Sequence, residues 1–171
     1  MTKQTNTSTL LDKADLLIKQ KEYKKAFSLL KKHYAGNQEN SAFLLQFAIV
    51  CFACKKASLA LQTLEKATEL NPNDPTVYIL KAKVYYKLCS KFIKAKKEMS
   101  QALKLTTNKD SYLKALAAEI YYANGELTKA IQYAEDLLET DASIPSANLI
   151  KGLSYGDSYD KQKSAKKYFF K

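Results

Sequence analysis

Arginine is absent: all 28 basic residues of the 171-residue chain are lysines. Against 17 acidic residues they leave a formal charge of +11, which raises nucleic acid or an anionic membrane as a partner. Bidentate recognition of phosphate or guanine, however, relies on the guanidinium fork, and lysine supplies only a mobile point charge. The charge therefore reads mainly as a solvated surface and weighs against a nucleic-acid role. Glycine (four) and proline (three) are scarce, while hydrophobic residues make up 46%. This excludes a disordered chain and points to a packed, mostly helical one, long enough to remove roughly 70% of its unfolded surface from water.

Histidine occurs once, at His33, too little for a Ser/His/Asp or Cys/His arrangement. Neither G-x-x-x-x-G-K-[ST] nor G-x-G-x-x-G is present, so no phosphate cradle is expected. No enzyme activity and no cofactor are expected. The three cysteines, Cys51, Cys54 and Cys89, cannot all pair and lie in apolar helical contexts, which fits free thiols in a reducing compartment. The C-x-x-C of Cys51 and Cys54 would need Cys89 and His33 to complete a zinc set on paper. His33 ends a second helix of a pair, whereas Cys51 and Cys54 approach the end of a first helix, so no metal site is expected. Residues Met1 to Leu11 hold no apolar core of signal-peptide length, and no run reaches the roughly 18 apolar residues of a membrane span. A cytoplasmic protein is the expectation.

What is present is a period. In Ala57 to Leu70 the residues Leu59, Ala60, Leu64, Ala67 and Leu70 fall three or four apart, on one stripe of a helix. Asn71-Pro72-Asn73-Asp74-Pro75 then stops it, because proline lacks a donor and disfavours helical geometry before it. Pro75 opens the next helix, with Asp74 as its cap. Small residues recur at Ala14, Ala48, Ala82, Ala118 and Gly152, spaced 34, 34, 36 and 34. A second series, Ala26, Ala60, Ala95, Ala130 and Ala165, is spaced 34, 35, 35 and 35. Larger residues three beyond the first series are Leu17, Cys51, Tyr85, Tyr121 and Tyr155. Three series sharing one period indicate a repeat array, with small residues where helices approach closely. Short turns at 20–22, 54–56, 89–91, 124–126 and 156–158 would join ten helices into five antiparallel pairs.

These residues resemble the tetratricopeptide repeat family, whose unit is a 34-residue helix-turn-helix. Residues Ser41 to Asp74 carry the likeness best, through Leu44, Phe47, Ala48, Ala60, Leu64, Ala67 and Pro72. The next unit contributes Tyr78, Ala82, Tyr85, Ala95 and Ala102, and the one after it Ala118, Tyr121, Asn124-Gly125 and Ala130. The flanking units depart more: the first has His33 where a small residue usually ends the second helix, and the last has an extended turn. The resemblance implies an all-α solenoid of about five antiparallel helix pairs, a single array over 8–171 after a flexible leader at 1–7. Its repeats would be about 8–40, 41–74, 75–109, 110–144 and 145–171.

The resemblance also implies a protein-protein interaction scaffold that binds a peptide or helix of a partner on a concave face lined by first helices. In this register the groove is lined by Leu11, Leu45, Ile49, Phe52, Ile79, Lys83, Tyr86, Tyr112, Glu119 and Tyr122, with Asp15 and Ile18 beside them. A one-residue shift would instead move some of these side chains into the core between repeats. Members that grip acidic chaperone tails use a clamp of Lys, Asn and Arg, and the matching places here hold Leu11 with Asp15, Gln46, and Thr76 with Leu80. An apolar groove suits an amphipathic helix or extended apolar peptide. The alternative expectation is the N-terminal region of a larger enzyme such as a transferase. A third is a homo-oligomer through the C-terminal aromatics Tyr168, Phe169 and Phe170.

Overall fold

A computed structural model describes the backbone of residues 2–106, 110–140 and 145–169, with side chains over 7–106, 110–140 and 145–159. All described elements are helices, grouped in two compact units, Met1–Lys91 and Phe92–Lys171. The first unit holds α1 (Thr2–Lys19), α2 (Tyr23–His33), a 3-10 turn at Tyr34–Gly36, α3 (Ser41–Ala53), α4 (Ala57–Leu70) and α5 (Pro75–Lys87). The second holds α6 (Phe92–Leu105), α7 (Ser111–Ala123), α8 (Leu127–Leu138) and α9 (Pro145–Phe169). Among the described residues no helix is long and apolar enough to cross a membrane.

In the first unit each helix packs on the next, and α1, α3 and α5 also pack in series. In the second, α6 meets α7, α7 meets α8, and α9 lies against both α8 and α7. The small-residue series explains the closeness: Ala14, Ala26, Ala48, Ala60 and Ala82 in the first unit, and Ala95, Ala118 and Ala130 in the second, are at most 1% exposed. A methyl group at each lets backbones approach, and Phe43, Leu44, Phe47, Leu64 and Met99 fill the space beside them.

The starts and stops are local chemistry. Asn40, Asp74 and Asp110 cap α3, α5 and α7, accepting from the N–H groups of Phe43 (3.0 Å), Thr76 (2.8 Å) and Leu113 (2.7 Å). Pro75 occupies the first turn of α5, as the Asn71–Pro75 stretch implies, and the Tyr78 hydroxyl donates to the Pro72 carbonyl at 2.8 Å. At the turns within pairs, a left-handed residue reverses the chain: Lys21 (φ 59°) and Lys55 (φ 58°) in the first unit and Gly125 (φ 73°) in the second. The hydrogen bonds Lys21 N–H to the Ile18 carbonyl (2.9 Å) and Glu22 N–H to the Leu17 carbonyl (2.8 Å) form the five-to-two and six-to-one closure of a helix C-terminus, in that order. The same pair recurs at Lys55 with Lys56 and at Gly125 with Glu126.

Helix α1 begins at Thr2, and the Thr7 hydroxyl donates to Asn37 Oδ1 at 3.1 Å. One expectation is corrected. The turn expected at Gly156-Asp157-Ser158 is not made, because α9 runs through it as one helix. A glycine inside a helix costs about 1 kcal/mol relative to alanine, which is not a stop without a proline or a left-handed residue. The fifth pair of the expected architecture is therefore one long helix. Gly152, the fifth member of the small-residue series, is exposed, with nothing within 4 Å of where a Cβ would stand. Tyr155 is 51% exposed, while the side chains of Ala165 and of the C-terminal aromatics lie outside the described residues.

Candidate partner-binding surface

The helix that shapes the candidate surface is α3, SAFLLQFAIVCFA, apolar nearly all round with only Ser41 and Gln46 as polar residues. A helix on one core face needs an apolar stripe, and α3 has more than that face uses. Phe43, Leu44, Phe47, Ala48, Val50 and Cys51 are buried at 0 or 1% exposure. Leu45, Ile49 and Phe52, spaced four and three apart, form a separate half-buried row. On α5, Val77, Ala82 and Val84 are buried, while Ile79, Lys83 and Tyr86 form the corresponding half-buried row.

None of the ten residues expected to line a groove is fully buried. In the first unit Leu11, Leu45 and Phe52 pack partly against the core cluster. Across α3 and α5 the ammonium of Lys83 stands 5.0 Å from the Phe52 ring centroid, and Lys87 stands 4.4 Å from that of Tyr86. These cations over ring faces keep aromatic surface partly covered without a hydrophobic lid. In the second unit Tyr112 is 51% exposed and Glu119 and Tyr122 are half-buried. Tyr122 is committed within its unit: its phenol hydrogen-bonds the Asp157 carboxylate of α9, which holds its pKa above the ordinary range.

The positions matching the chaperone-tail clamp serve local structure. Asp15 pairs with Lys19 at 2.8 Å, Gln46 Nε2 donates to the Leu11 carbonyl at 3.3 Å, and Thr76 supplies the N–H that Asp74 caps. Cys51 is buried, and burial pushes its thiol up to about 12. Cys54 is half-buried and its Sγ lies 3.5 Å from the Tyr23 carbonyl, while His33 is exposed at the end of α2. Among the described residues no three His, Cys, Asp or Glu side chains converge as a metal site would require.

Sequence reasoning missed the charged contacts of the second unit. Glu126 bridges Lys96 of α6 and Lys129 of α8, each at 2.7 Å. The Lys129 and Lys96 bonds hold the Glu126 carboxyl below its ordinary range. Glu135 takes Lys151 at 3.0 Å and the Tyr155 hydroxyl at 3.3 Å, tying α8 to α9. Only the i,i+3 spacing of Glu126 and Lys129 was readable in advance.

Residues 17–84 match the family model of the tetratricopeptide repeat. The human protein IFIT1 homolog B is 28% identical over 144 residues, which cover 79% of this chain and 30% of that protein, so the chain spans less than a third of that relative's length. The solved structure of YrrB, described as a tetratricopeptide repeat protein with an unusual peptide-binding site, superposes with a TM-score of 0.73 at 17% identity, over 90% of this chain and 78% of that one. The first such domain of Spaghetti (RPAP3), bound to the HSP90 peptide SRMEEVD, gives a TM-score of 0.64 at 17% identity, over 71% of this chain and 95% of that one. At these identities the structural likeness establishes the fold, an all-α helical-repeat solenoid.

Proposed function

We propose, from the premise that this chain is a tetratricopeptide repeat protein, that α3 and α5 grip an amphipathic helix or extended apolar peptide of a partner. A protein-interaction scaffold is what the fold supports. The finer assignment rests on one observation: Leu45, Ile49 and Phe52 of α3 stay half-buried although Phe43, Leu44, Phe47, Ala48, Val50 and Cys51 already give that helix its core face. A partner's apolar side chains would complete their burial, at roughly 25 cal/mol for each Å² removed from water. Ile79 and Tyr86 extend the row, and the Lys83 and Lys87 ammoniums give it a cationic margin that would favour carboxylates flanking the apolar residues. Peptide recognition by YrrB and by the RPAP3 domain, each stated of those proteins, makes a peptide ligand the natural class.

A phage-displayed peptide library panned on the full chain tests this reading. Enriched peptides should carry apolar residues at helical or alternating spacing. Their affinity should fall at least tenfold for the variant carrying Ile49→Ala and Phe52→Ala, with far-UV circular dichroism unchanged. No enrichment, or enrichment indifferent to those substitutions, would reject the α3 and α5 surface.

A further inference from the structure

We propose that the turn edge of the first unit carries a second docking site, made for a short acidic peptide segment with an apolar side chain set between carboxylates. A cavity of about 830 Å³ opens where the α1–α2 turn meets the α3–α4 turn. Five exposed lysines line it, Lys21, Lys24, Lys25, Lys55 and Lys56, against one carboxylate, Glu22, which pairs with Lys25 at 2.9 Å. Lys21 and Lys55 sit at the apices of the two turns in the same left-handed conformation, each held by the same backbone closure. Rigid turns thus present the charges. The first turn of α2 and the cap of α4 line the same cavity, and the side chain of neither cap, Glu22 or Lys56, hydrogen-bonds the backbone N–H groups of its helix. The positive ends of both helices therefore add to the lysines.

The floor decides between anionic partners. It consists of Tyr23, Phe27, Ala53 and Cys54, all half-buried. The Phe27 ring already stacks on Phe47 at 5.7 Å, and the ammoniums of Lys56 and Lys31 stand 5.0 and 5.8 Å from its centroid. A nucleobase finds both faces of the Phe27 ring taken, and lysines offer phosphate no fork, so a nucleic acid would use the charge and leave the Phe27 floor unused. A peptide uses both, with carboxylates on the lysine rim and a leucine-sized side chain on the floor. The sequence signal was the placing of Lys24-Lys25 and Lys55-Lys56 beside successive turns, which reads as ordinary solvated charge until the cavity between them is seen.

Fluorescence anisotropy of the full chain with a fluorescein-labelled peptide of alternating glutamate and leucine tests the site. That peptide should bind, weaken as salt shortens the screening length, and bind at least tenfold more tightly than its glutamine–leucine counterpart. Lys24→Glu combined with Lys55→Glu should weaken it at least tenfold, with Lys24→Arg and Lys55→Arg together retaining affinity and the charge-matched pair Lys97→Glu and Lys104→Glu on α6, both exposed, leaving it unchanged. Absent binding, equal affinity for the glutamine peptide, indifference to charge reversal in a folded variant, or tighter binding of an oligothymidylate that displaces the peptide would each overturn the proposal.

Discussion

Replacing Phe47 by alanine should cost the first unit about 4 kcal/mol, whereas the same change at Phe52 of the same helix should cost about 1 kcal/mol. Phe47 is 1% exposed, its ring stacked on Phe27 at 5.7 Å and tilted against Tyr34 at 5.0 Å and Phe43 at 6.2 Å. Phe43 is itself fully buried, so the walls cannot close on the vacated space. Phenylalanine-to-alanine costs of roughly 3–5 kcal/mol apply where a site cannot collapse, and the lost ring pairs push toward the upper half. Phe52 is half-buried, with Lys83 over its ring, so only about half of the roughly 1.5–3 kcal/mol of full burial is at stake. Urea titration followed by far-UV circular dichroism separates the two. With m near 2 kcal/mol per molar, Phe47→Ala lowers the midpoint by about 2 M and Phe52→Ala by about 0.5 M. Equal shifts, or a larger one at Phe52, would mean that the inner and outer faces of α3 have been exchanged. The expected result also leaves Phe52→Ala folded, as the binding experiments require.

Glycine-to-alanine changes should have opposite signs at two positions with equally open surroundings. Gly125, at φ 73°, forces alanine into the left-handed region at a cost of about 1 kcal/mol, while helical Gly152→Ala gains about 1 kcal/mol, both read as thermal midpoints. Glu126, with its pKa depressed by Lys129 and Lys96, stabilises the second unit when ionised. That contribution is complete above the unfolded carboxyl pKa of about 4.3 and disappears as pH falls through the lower folded value. Exposed pairs of this kind contribute about 0.5 kcal/mol, so Glu126→Gln should narrow the stability gap between neutral and acidic pH by that amount. A thiol-reactive dye at neutral pH should modify Cys54 and Cys89 ahead of buried Cys51, which reacts only as the unit opens; simultaneous labelling of all three would contradict the packing of α3.

Legibility followed the range of the interaction. The Asp74 cap acts on an N–H group two residues away, so residue type and position were enough; Asn40 and Asp110 cap α3 and α7 over three residues in the same local way, without a flanking proline to point them out. The half-exposed rows of α3 and α5 were legible as candidates, yet the alternative of core and groove stood one residue apart. Gly156 read as a turn because every earlier pair turned near that point in the period, and the helix continues because no left-handed residue or proline stops it.

By itself the sequence determined the helix-turn-helix period, the stops between units and the small residues that let helices touch. Each depends on a residue's own backbone preferences or volume. Tertiary structure alone decided which apolar side chains of α3 were left over, where Lys83 and Lys56 met aromatic rings, and that lysines from two turns surround one cavity. Those outcomes depend on what stands opposite a side chain, and residues about thirty apart in the chain become neighbours only after the helices have packed.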